Sequence, residues 1–93
     1  MEQVVVDGKT YRGAHVSTEK ANILMIQGDR GFLGCGYFKV ETADKLGEAV
    51  AIVTGVKTYD DMLGAKVVAV SEKAKALGIH EGMPGREALP KLY

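Results

Sequence analysis

Cys35 is the single cysteine of the chain, and it stands between two glycines in Gly34-Cys35-Gly36. A thiol acts as a nucleophile or redox centre only as the thiolate, which needs a base or a positive charge beside it. His15, placed on a neighbouring hairpin by its strand pattern, is the candidate base. No third group is in sight to orient such a pair. The competing reading is a buried cysteine packed as a small hydrophobe, its commonest role.

A second constellation is Thr54-Gly55-Val56-Lys57-Thr58. It follows an apolar run and precedes a helical pattern, so N–H groups at the helix start, the Lys57 amine and the Thr58 hydroxyl could hold a phosphate or carboxylate. Its glycine spacing is neither the dinucleotide fingerprint nor the P-loop. Asp60 and Asp61 also compensate the electropositive first turn, and Asp61 sits at capping-box spacing from Thr58. Arg86, directly after Gly85 at another helix start, is a further anion clamp, with a solvent-facing arginine as its alternative. The ligand-binding expectation therefore rests on Gly55, Lys57, Thr58 and Arg86. His15 and His80 have no partner at a metal-ligand spacing, so neither a metal nor a cofactor is expected.

These residues need elements to position them. Val4-Val5-Val6 is closed by Asp7-Gly8, a strong hairpin signal, and a second run follows from Lys9 to Ser17. Within it Tyr11, Gly13, His15 and Ser17 share one face. Ile23 to Ile26, the turn Gln27-Gly28-Asp29-Arg30-Gly31 and a returning strand from Phe32 to Val40 make the central hairpin. Glycines at Gly34 and Gly36 imply a close approach on their face of that strand. Thereafter the pattern predicts a helix over Glu41–Leu46 with Thr42 as a cap, a strand over Ala49–Val53, and a helix opened by Thr58 and ended by Gly64. A strand over Lys66–Val70, a helix over Glu72–Leu77 opened by Ser71, and a last helical turn over Arg86–Leu92 complete the chain. Antiparallel strands followed by alternating strands and helices predict an α+β or α/β fold. It would be one single domain over residues 1–93 with a single mixed sheet, joined in its second half by parallel crossovers.

At 93 residues such a domain has a thin core, which favours self-association. Twelve basic residues balance twelve acidic ones without a charged block, so nucleic-acid and membrane-surface partners are not expected. No apolar run approaches the about 20 residues a spanning helix needs, and Met1-Glu2-Gln3 does not open a signal peptide. A cytoplasmic location follows as the expectation.

From Lys20 onward, four ordered motifs carry a resemblance. They are Asn22-Ile23-Leu24-Met25-Ile26; Gly31-Phe32-Leu33 with Cys35-Gly36-Tyr37; Gly55-Val56-Lys57-Thr58; and Leu77-Gly78-Ile79 with Gly82-Met83, Gly85-Arg86 and Ala88-Leu89. Together they resemble the YunC-like family of small bacterial and archaeal proteins, a domain of unknown function. That family places a larger apolar residue where this chain has Gly34, so strand packing there is expected to differ. The resemblance implies a fold relationship; it carries over no activity and no catalytic residue. The functional expectation is a homo-oligomeric module that binds a small anionic ligand. The alternative is a small enzyme or redox sensor using Cys35.

Overall fold

Residues 1–93 are described by a computed structural model. β1 (Glu2–Val6) and β2 (Lys9–Ser17) are joined at Asp7-Gly8, where both residues take positive φ, 51° and 82°. This mirror-image turn matches the twist of paired antiparallel strands. β3 (Asn22–Gln27) and β4 (Gly31–Gly34) complete an antiparallel meander. α1 (Val40–Leu46) then carries the chain to β5 (Ala49–Ile52), which lies parallel to β4. α2 (Tyr59–Gly64), β6 (Ala69–Val70), α3 (Glu72–Ala76), α4 (Gly85–Ala88) and a final 3-10 turn (Leu89–Leu92) follow. The six strands form one mixed sheet in the order β1-β2-β3-β4-β5-β6. With four short helices against it, this is an α+β fold.

Three expectations are corrected. The strand over Phe32–Val40 stops at Gly34, because the Cys35 carbonyl turns away to accept the N–H of Phe38 at 3.1 Å. The first helix begins at Val40 behind Lys39, so Thr42 is inside it rather than its cap. The strand over Lys66–Val70 is reduced to Ala69–Val70, and it pairs antiparallel with β5 instead of closing a parallel crossover. The reason lies in α2, which packs on α4 and β3 rather than running back along β5. The chain therefore re-enters beside the carboxyl end of β5, where Val68 N–H donates to Ile52 O at 2.8 Å. Val67 meanwhile exchanges hydrogen bonds with Gly82 and Met83.

Alternation along β5 divides the core. Ala49, Ala51 and Val53 face the main cluster with Tyr11, Leu24, Ile26 and Leu33 of the sheet and Met62, Leu63, Ala74, Leu89 and Leu92 of the helices. Val50 and Ile52 face the opposite side, where Ala43 of α1 packs with Phe32 and Phe38. All four residues of β5 are buried, as a strand covered on both faces requires. Gly34 lets the segment that leads into α1 lie close on this face: a Cβ there would stand 2.7 Å from the Phe38 ring, closer than packed carbons tolerate. The close approach predicted from the glycines is thus present at Gly34. Further along that face the sheet is uncovered, and Val5 and Val16 are 65% and 57% exposed.

Two distant contacts fasten the ends of this framework. The buried Ser71 hydroxyl donates to Glu48 O at 2.8 Å and accepts the N–H of Val50 at 2.9 Å. It therefore ties the start of α3 to the start of β5. The Gly28–Gly31 turn clasps the C-terminus, with Asp29 and Arg30 N–H donating to the carbonyls of Tyr93 and Leu92 at 2.9 and 3.0 Å.

Candidate functional site

After β4 the chain crosses to the α1 face, and after β5 it crosses to the α2 face. Neighbouring parallel strands whose continuations part to opposite faces leave a crevice outside their carboxyl ends. A cleft of about 420 Å³ lies there. One wall is Cys35-Gly36-Tyr37 after β4, another is Gly55-Val56-Lys57 after β5, and the connection between β2 and β3 supplies Lys20 and Asn22. That connection is set by Thr18, whose hydroxyl accepts the N–H of Ala21 at 2.9 Å and donates to its carbonyl at 3.0 Å.

The cleft carries cations and unpaired donors without an opposing carboxylate. No carboxylate lines it, and neither Lys20 nor Lys57 joins any of the three ion pairs of the fold. The backbone N–H groups of Gly36, Tyr37, Gly55 and Val56 find no acceptor within the protein. Asn22 adds to them. Its Oδ1 accepts from His15 Nε2 at 2.9 Å and from Ser17 Oγ at 3.2 Å, which leaves the amide NH2 unpaired.

The structure brings Cys35, Gly55 and Lys57 together, but not every expected residue joins them. The Thr58 hydroxyl accepts the N–H of Asp61 at 3.1 Å, while Asp61 Oδ2 accepts the N–H of Lys57 at 3.0 Å. This reciprocal cap engages the Thr58 hydroxyl and the Lys57 N–H, and leaves the Lys57 amine without a partner. Arg86 does not line the cleft; its guanidinium pairs with Asp7 at 3.3 Å.

No hydrogen bond joins Cys35 to His15. The Cys35 sulfur is buried, accepts the N–H of Leu24 at 3.3 Å and donates to Asn22 O at 3.8 Å. His15 is held by Asn22 and packs edge-on to Tyr59, ring centroids 6.1 Å apart. Two tyrosines have shifted acidities, and neither lines the cleft. Burial, followed by a hydrogen bond donated to Glu2 at 2.7 Å, pushes the Tyr59 hydroxyl up to about 12. Burial, then the proximity of Tyr93 and Asp7, raises that of Tyr11.

Residues 34–92 match a family described as a domain of unknown function, DUF1805. The chain belongs to this family. The uncharacterized protein YunC of Bacillus subtilis (strain 168) is 32% identical over 93 residues, covering 96% of this chain and 92% of that protein. The crystal structure of TA1206, a protein of unknown function from Thermoplasma acidophilum, superposes with a TM-score of 0.93 at 39% identity, covering 99% of this chain and 90% of that one. The DUF1805 match includes both loops that wall the cleft and leaves out Lys20 and Asn22.

Lys20, Asn22 and Tyr37 are the cleft residues that sequence reasoning missed. Lys20 and Asn22 sit in a polar connection with no motif of their own. The available signal was topological: three loops meet at one end of the sheet once the strand order is known.

Proposed function

We propose that this protein is a self-associating module that binds a small anionic ligand in the cleft at the carboxyl ends of β4 and β5. One observation carries the reading: two lysines without carboxylate partners line a cleft that no carboxylate lines and that holds unpaired backbone N–H groups. Such a set stabilises an oxyanion, which only accepts hydrogen bonds, and offers little to a neutral donor. Self-association is supported by the exposed apolar side chains of Val5 and Val16 on the uncovered sheet face, which a second copy would cover.

The test is calorimetric titration of inorganic phosphate into the native protein and into Lys20→Ala, Lys57→Ala and Arg86→Ala. Binding weakened by either lysine substitution and untouched by Arg86→Ala supports the cleft. Binding lost only with Arg86→Ala, or no binding at all, contradicts it. Sedimentation at several concentrations tests the assembly, and a monomer throughout would remove that part of the proposal.

A further inference from the structure

Beside the cleft runs a second depression, an apolar groove of about 370 Å³ along α1. Its walls include Phe32, Phe38, Ala43, Leu46 and Val50, with Lys39 and Glu48 as the charged residues of its lining. Phe32 and Phe38 pack edge to face with centroids 5.2 Å apart, and Gly34 lets the Phe38 ring lie down against the sheet. Tyr37 lines both depressions. It stands where the donor surface ends and the apolar surface begins.

Leu46 and Tyr37 remain 68% and 58% exposed. The groove therefore leaves apolar area in water that a ligand already anchored in the cleft would cover. Resting on the anion reading of the cleft, we propose that the ligand is an amphipathic oxyanion. Its phosphate or carboxylate head sits between Lys20 and Lys57, and its apolar chain passes Tyr37 into the groove along α1. The chemistry of the two depressions favours this occupant: the cleft holds Lys20 and Lys57 with no carboxylate beside them, most of the groove's lining is apolar, and α1 rises about 10 Å, the reach of a medium-length alkyl chain.

The chain adds buried apolar area to the polar contacts of the head. Burial of each methylene tightens binding by roughly fourfold at the usual transfer free energy, so a chain that fills even part of the groove gives a large and measurable gain.

Calorimetry with methyl phosphate, octyl phosphate, octanoate and octanol, each below its aggregation limit, reads this directly on the native protein, Lys57→Ala and Leu46→Asp. Leu46 is exposed, so Leu46→Asp keeps the fold. Octyl phosphate or octanoate binding at least tenfold more tightly than methyl phosphate, with Leu46→Asp removing the gain and sparing methyl phosphate, is the expected result. Octanoate against octyl phosphate distinguishes a carboxylate from a phosphate head, and tight binding of either upholds the proposal. Equal affinity for methyl and octyl phosphate overturns the chain site while leaving the anion cleft intact. Octanol binding as tightly as octyl phosphate overturns the joint site, and failure of every anion to bind removes both readings. If Leu46→Asp dissociates an oligomer and chain length has no effect, the groove belongs to a second copy and the proposal is wrong.

Discussion

The sulfur of Cys35 accepts the backbone N–H of Leu24 at 3.3 Å, a place that a strand carbonyl would ordinarily fill. Cys35 N–H donates to Leu24 O at 3.0 Å as the ladder requires, but the Cys35 carbonyl has turned to close the bend to Phe38. The thiol thus ends the pairing of β3 with β4 and lets the chain leave for the α1 face.

Cys35→Ala should leave the Leu24 N–H buried without an acceptor and cost about 1–3 kcal/mol, read from the urea midpoint. Cys35→Ser keeps an acceptor and should cost less. Both variants should bind phosphate as the native protein does. Iodoacetamide should modify the native thiol, 3% exposed as a residue, more slowly than a free peptide cysteine; faster reaction would revive the redox or enzymatic reading of Cys35.

Ser71→Ala should be among the more damaging single substitutions. It removes a helix cap and leaves the buried Val50 N–H and the part-buried Glu48 carbonyl without their partner. A loss of about 2–3 kcal/mol is expected, and Ser71→Thr, which keeps the hydroxyl, should recover part of it.

Alkaline stability should depend on Tyr59. Below its unfolded value of 10.0, folded and unfolded chains both hold the proton; between there and about 12 the unfolded chain loses it first. Stability is therefore full below pH 10.0 and falls as pH rises through about 12. Tyr59→Phe should flatten that fall in denaturant midpoints measured across the window. A residual slope should persist from Tyr11, which is shifted in the same direction.

Arg86→Ala should change stability by less than about 1 kcal/mol, because its pairing with Asp7 joins two half-exposed side chains. Its phosphate affinity should match that of the native protein. A strong loss of affinity would put the anion beside Arg86 instead of between Lys20 and Lys57.

The N-terminal half of the fold was legible because hairpin chemistry is local: Asp7-Gly8 and the Gly28–Gly31 turn carry their own signals, and the strands between them are continuous. The second half was less so. Val67 looks like a strand residue, yet its partners are Gly82 and Met83, a pairing that no local pattern encodes. The same distinction holds at the cleft. Gly55 and Lys57 stood out because a strand, a tight turn and a cap adjoin them, whereas Thr58, read from the same motif, is taken up by the cap itself. Asn22 becomes meaningful only through His15 and Ser17, which hold its oxygen and leave its amide hydrogens unpaired.

Amide chemical shifts report most directly where an anion sits. Inorganic phosphate titrated into the isotope-labelled protein should shift the N–H resonances of Gly36, Tyr37, Gly55 and Val56 together, with one saturation curve. Shifts centred instead on Gly85, Arg86 and Glu87, or none at any concentration, would contradict the cleft as the anion site.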